Sequence, residues 1–144
     1  MKHIFYLLIF ALFFSCDNST NEKTNESKKI VYDMYESSEM ALLMNQMFEY
    51  NLKVKEEILK GEIPTEFPID FLKIHTAEMS EFKSRNETFQ SFSKVFIETE
   101  RQIFDENSTI DVKDRFNNAV NVCISCHQTE CTGPIPRIQK LLIK

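Results

Sequence analysis

Three cysteines and one histidine lie close together near the end of the chain, in the stretch NVCISCHQTEC at residues 121–131. Cys123, Cys126 and His127 form the pattern C-x-x-C-H, which is typical of c-type haem attachment. Two thiols three residues apart can each add to one vinyl group of a porphyrin, and the histidine is then held beneath the iron. The spacing therefore predicts one covalent haem c, with Cys123 and Cys126 as attachment points and His127 as the proximal ligand.

Two other kinds of site use the same residue types. Cys123, Cys126, His127 and Cys131 could bind zinc, although structural zinc sites usually take a second ligand pair from elsewhere in the chain. The two cysteines of C-x-x-C could instead form a redox-active disulfide, although such motifs usually lie in a βαβ unit, which this sequence does not indicate. The sequence favours haem, and zinc binding and thiol redox chemistry remain as alternatives.

The first sixteen residues, MKHIFYLLIFALFFSC, differ in composition from the rest of the chain. A basic start precedes an apolar run over residues 4–14, which is too short to span a bilayer as a mature helix. Such a run is typical of a signal peptide, and a small residue followed by a cysteine is typical of the bacterial lipoprotein type. We predict a signal peptide at 1–15 and an acylated Cys16. The alternative is an ordinary signal peptide that is cleaved nearby.

A polar segment separates this leader from the rest of the chain. Residues 17–29 include no aliphatic or aromatic residue, so they cannot bury apolar surface, and we expect residues 16–34 to be a disordered tether. With an acylated Cys16, the tether would hold a folded part, residues 35–144, near a bacterial membrane. The sequence thus predicts an exported, lipid-anchored protein that faces the periplasm or the cell exterior.

The composition excludes several classes of function. The net charge of −5 argues against a nucleic-acid-binding protein, which needs a basic patch to displace counterions from phosphates. No pair of carboxylates is placed for acid–base catalysis, and neither G-x-S-x-G nor a phosphate-binding loop occurs, so we expect no enzymatic activity.

Helical spacing of apolar residues runs through four segments, which we predict as helices over 38–60, 68–79, 87–105 and about 109–129. Gly61 can end the first of these, and a total of only 2 Gly and 4 Pro against 13 Phe also favours long helices. The stripe on the first helix repeats at spacings of four and three: Met40, Met44, Met47, Asn51, Val54, Ile58. We predict an all-α fold, an antiparallel four-helix bundle with the haem in its core and attached near the end of the last helix.

A helical bundle with C-x-x-C-H near the end of its last helix resembles the cytochrome c-prime family, including its low-spin, methionine-ligated members. The resemblance covers residues 35–132, and its specific part is the motif and its position. It implies haem c bound through Cys123, Cys126 and His127. It also implies a distal haem residue on the first helix, a place that Met44 fits, and commonly a homodimer.

The sequence departs from the family in two places. The family often has a basic residue four positions after the proximal histidine, where this chain has Cys131. The tail from Cys131 onward also extends beyond the usual helix end, and its Arg137 could fold back toward the haem. Met40, Met47 and His75 are the alternatives to Met44 as the sixth iron ligand, since thioether and imidazole are both common axial donors.

Besides a haem-free structural module that holds zinc or a disulfide, two functions remain after these observations. The first is a membrane-anchored cytochrome that transfers single electrons to or from an unknown redox partner protein outside the cytoplasm. The alternative is a five-coordinate haemoprotein that binds nitric oxide or carbon monoxide. The coordination of the iron separates the two, because a sixth protein ligand blocks gas binding.

Overall fold

Residues 36–144 are described by the computed structural model, and within them no strand occurs. The predicted signal peptide, Cys16 and the tether lie outside the described residues. The helical elements are α1 (Glu39–Leu59), a 3-10 helix (Ile69–His75), α2 (Glu87–Ile103), α3 (Val112–Glu130), α4 (Ile135–Ile138) and a second 3-10 helix (Gln139–Leu141). The all-α fold is therefore confirmed. None of the helices in this part of the chain is long and apolar enough to cross a membrane.

Both ends of α1 follow from side chains and backbone that the sequence indicates. The Ser38 hydroxyl accepts a hydrogen bond from the amide of Ala41 at 3.2 Å, which satisfies one of the free donors of the first turn. Gly61 adopts a φ of +83°, the left-handed conformation that ends a helix and that other residues rarely adopt. The observed helix differs from the predicted 38–60 by one residue at each end.

The segment predicted as a helix over 68–79 instead forms the 3-10 helix Ile69–His75. Its buried residues, Phe71 and Ile74, are three positions apart, and the buried Ala77 follows after another three. A 3-10 helix has three residues per turn, so this spacing places all the buried side chains on one side. Buried residues at every third position fit a 3-10 helix better than an α-helix, in which the spacing of buried residues alternates between three and four.

α2 and α3 form the most extensive helix pair, and each begins at a polar cap. The Asn86 side-chain oxygen accepts from the amide of Phe89 at 2.7 Å, and that of Asp111 accepts from the amide of Lys113 at 2.8 Å. At the other end of α2, the buried guanidinium of Arg115 donates to the carbonyl oxygens of residues 103 and 105 at 3.0 and 2.8 Å. Arg115 thus satisfies carbonyls that the end of a helix leaves without partners.

The C-terminal tail folds back against α1 and α3. Ile138, Leu141 and Ile143 are buried in the same core cluster as Val54 and Ile58 of α1 and Phe116 of α3. The ammonium group of Lys55 on α1 donates to the carbonyls of Lys140 and Leu142 at 2.7 and 3.1 Å. The short helix α4 begins directly after Pro134, at Ile135.

Candidate functional site

A cavity of about 430 Å³ opens between α1, α2, α3 and the tail. Its volume falls within the range of roughly 300–1,000 Å³ that is usual for cofactor and small-molecule sites. Its walls are mainly apolar, and the apolar lining comprises Met40, Met44, Met47, Phe48, Ile74, Met79, Phe89, Phe92, Phe96, Val122, Ile138 and Leu141. The cavity is therefore able to take a large apolar group.

The cavity brings together the residues that the sequence singles out. Cys123, Cys126 and His127 line it from α3. Met44, which is distant from them in sequence, lines it from α1. His75 does not line it: it is exposed, and its Nδ1 lies 3.3 Å from the Ser93 hydroxyl. This arrangement favours Met44 over His75 as a second ligand to anything held by His127.

The orientation of the His127 ring is fixed by the residue that ends α3. Its Nδ1 lies 2.9 Å from the carbonyl oxygen of Cys131, and the backbone amide of Cys131 donates to the carbonyl of His127 at 3.1 Å. A carbonyl oxygen can only accept, so Nδ1 carries the proton and Nε2 keeps its lone pair in the neutral ring. The hydrogen bond from Nδ1 to the carbonyl of Cys131 is the usual support of a metal-binding histidine, because it sets both the tautomer and the direction of the ring.

The two thiols of the motif are held as neutral groups. Burial, and next the charge of Glu100, raise the pKa of the Cys123 thiol well above its ordinary range. Burial, and next the charge of Glu130, raise the pKa of Cys126 to about 11. Thiolate is the form that attacks disulfides, so both sulfurs are poorly suited to thiol exchange at neutral pH. The raised pKa values therefore weigh against a redox-active disulfide.

The methionines of α1 differ in how much of each side chain is free. Met40 and Met47 are only 7% and 6% exposed and belong to the core cluster, whereas Met44 is half-buried at its edge. A thioether needs an unoccupied direction toward the metal, which a fully packed side chain lacks. Met79, which follows the 3-10 helix, also lines the cavity and is half-buried. Nothing in the spacing of residues around Met79 distinguishes it from an ordinary core residue.

Two cations lie at the rim of the cavity. Arg137, from the tail, stacks on the Phe48 ring at 3.9 Å from its centroid and donates to Asn45 and to Glu49 at 2.7 and 2.8 Å. The tail therefore does fold back to bring positive charge to the site. Lys83, which follows the 3-10 helix, also lines the cavity and donates to the carbonyl of Glu130. Glu49 pairs with Arg137, and Glu130 also lines the cavity, so the rim carries charges of both signs.

Cys131 contributes its backbone to the site more than its thiol. It ends α3, is exposed, and orients His127 through its carbonyl oxygen. Among residues 36–144, no three His, Cys, Asp or Glu side chains converge as a group able to hold a metal ion. A haem iron needs fewer protein ligands, because the porphyrin supplies the other four nitrogens.

Comparison of this chain with models of protein families, with curated proteins and with solved structures gives no match. The site must therefore be judged by its own geometry. Two thiols and an oriented imidazole on one helix, beside an apolar cavity that Met44 also lines, have the chemistry that covalently bound haem c uses. The residues present fit that group.

Proposed function

We propose that this protein is a c-type cytochrome that carries one covalent haem and transfers single electrons outside the cytoplasm. The observation that carries the proposal is the cavity that gathers Cys123, Cys126, His127 and Met44 while the His127 ring keeps Nε2 free. In this proposal α1, the 3-10 helix, α2 and α3 are the four elements of an antiparallel bundle around the haem. The protein acts as an electron carrier, with a redox partner protein and no catalysis of its own.

When bound, the haem supplies a one-electron couple, and the surrounding residues set its properties. Cys123 and Cys126 would hold the porphyrin to α3, and His127 would bind the iron through Nε2. Met44 would provide a thioether ligand from α1. A thioether ligand favours the ferrous state and so raises the reduction potential. The apolar walls exclude water, so there is little solvent to rearrange when the charge of the iron changes. Arg137 offsets the negative charge of the haem carboxylates at the rim.

The first expected result is covalent haem in protein made together with a cytochrome c maturation system. Intact mass should exceed that of the mature polypeptide by one haem, and the colour should remain with the protein after acid–acetone extraction. Changing Cys123 or Cys126 to Ala should leave a single thioether bond and shift the pyridine haemochrome spectrum. Changing the exposed Cys131 to Ala is the matched control and should leave mass and spectrum intact. A colourless protein that contains stoichiometric zinc contradicts the proposal.

The lipid anchor is a separate expectation, because Cys16 lies outside the described residues. The wild-type protein should fractionate with membranes and enter the detergent phase, since two or more acyl chains give stable anchoring where one does not. Cys16→Ser should release the protein or leave its signal peptide uncleaved. Cys131→Ser again serves as a control that should stay in the membrane fraction. A soluble wild-type protein with an N-terminus beyond residue 16 would show the anchor to be wrong, while leaving the haem proposal unaffected.

A further inference from the structure

Glu100 is a carboxyl group in the middle of the core. It lies on the inner face of α2, its side chain is 1% exposed, and its Oε1 has no hydrogen-bond partner among the residues that the structure describes. An ionised carboxylate is costly in such a place unless a cation compensates it. A stripe of Phe and Ile surrounds it on α2, so its presence needs a reason other than packing.

The neighbours of Glu100 connect it to the cavity. Its side chain lies within hydrogen-bonding reach of that of Asn51 on α1, and its charge acts on the thiol of Cys123 on α3. Both Asn51 and Cys123 line the cavity. Asn51 is 4% exposed, donates to the carbonyl of Met47 at 3.2 Å, and its own Oδ1 also lacks a partner in the described part of the chain. Glu100 is therefore adjacent to two residues of the cavity wall.

Burial raises the pKa of Glu100 to about 8, against the opposing effect of the hydrogen bond with Asn51. Two other titratable groups are affected by its charge. Tyr50 on α1 has a raised pKa, chiefly through burial, and Cys123 on α3 becomes a thioether in the haem-bound protein. Arg115 on α3 is occupied by backbone carbonyls, and His75 on the 3-10 helix is exposed.

We propose that Glu100 is the redox-linked proton site of this protein, binding a proton when the iron is reduced and releasing it when the iron is oxidised. The inference rests on the proposed function, since it requires haem attached at Cys123. A one-electron donor reduces ferric to ferrous iron, and one proton from solvent binds the Glu100 carboxylate. The electron and the proton together leave the charge of the buried site unchanged, which avoids the cost of an uncompensated charge.

The direction of the pH dependence follows from the charges. Ferric iron carries one more positive charge than ferrous iron, so it favours the carboxylate and lowers the pKa of Glu100 relative to the reduced protein. Between these two pKa values, reduction takes up a proton, and rising pH therefore makes reduction harder. Above and below that interval, Glu100 has the same protonation in both redox states, and the midpoint potential no longer changes with pH.

Redox titration of the full-length, haem-loaded protein tests the proposal. From about pH 6 to pH 10, the midpoint potential of the wild type should fall with rising pH. The steepest slope that one coupled proton allows is a tenfold change in the reduction equilibrium constant per pH unit, which is about 59 mV for a one-electron couple. Glu100→Gln, a neutral amide of the same shape, should remove this dependence. Glu98→Gln on the exposed face of α2 is the matched control and should keep it.

An infrared difference spectrum gives a second reading that needs no variant. In wild-type protein labelled with ¹³C at its glutamate carboxyl groups, reduction near pH 8 should increase the isotope-shifted band of a protonated acid. A potential that is independent of pH, or a slope that persists in Glu100→Gln, overturns the inference while the haem proposal stands. If the protein contains no haem, the visible spectrum shows this before any titration, and both proposals fail.

Discussion

Replacing Met44 by Ala is expected to convert low-spin iron into high-spin iron that binds carbon monoxide. Met44 lines the same cavity as His127, and it is less tightly packed than Met40 and Met47 on α1. Removal of its thioether would leave the iron with one open position, which carbon monoxide can occupy. The reduction potential should also fall, because the ligand that favours ferrous iron is gone. Visible spectra of both oxidation states, with and without carbon monoxide, measure the change.

The neighbouring methionines provide the controls for this result. Met40→Ala and Met47→Ala should keep the wild-type spectrum, although each should cost about 2–5 kcal/mol of stability as a buried residue. Met79→Ala is the most informative control, since Met79 is half-buried and lines the same cavity. Loss of the low-spin spectrum in Met79→Ala alone would assign the ligand there. High-spin iron that already binds carbon monoxide in the wild type would instead favour the gas-binding function over electron transfer.

Replacing Phe116 by Ala is expected to lower the free energy of unfolding by about 3–5 kcal/mol. Phe116 on α3 is completely buried, in a cluster that joins Val54 of α1, Ile103 of α2 and Ile138 of the tail. The change removes a large apolar side chain and leaves a cavity that the packed helices cannot fill. Domains of this size have a total stability of about 5–15 kcal/mol, so the variant should be near the limit of folding.

Denaturant unfolding followed by circular dichroism measures this loss as a lower midpoint with an unchanged slope. Phe82→Ala is the matched control, because Phe82 is 92% exposed and its removal should change stability by no more than about 0.5 kcal/mol. Equal stability for Phe116→Ala and the wild type would mean that the packing described around α3 is wrong.

The helices were predictable because their signals are local. Asn86 and Asp111 begin α2 and α3 as caps, Gly61 ends α1, and the predicted bounds agree with the structure to within three residues. The C-x-x-C-H residues were recognisable for the same reason, since their chemistry depends on neighbours in sequence. The 3-10 helix was not predicted, because the apolar residues of 68–79 also fit an α-helical face.

The polar residues of the core could not be predicted from sequence. Ser93, Glu100 and Arg115 fall on the buried faces of their helices, but polar residues are normally assigned to solvent. Their places depend on groups far away in sequence, such as Asn51 for Glu100. The carbonyl of Cys131 that orients His127 was also beyond reach, because side-chain spacing carries no information about the backbone that ends a helix.

The packing of the tail determines the order in which the helices fold. α2 and α3 are close in sequence and can pair early, whereas Lys55 of α1 meets the carbonyl of Lys140 across a separation of 85 residues. Contacts between such distant residues form late, since a long loop must close first. Because Leu141 and Ile143 belong to the core, α1 is not fully packed until residues 138–143 have folded against it. In the proposed cytochrome, the cavity wall that α1 and the tail share would therefore close last, and a porphyrin would enter before it does.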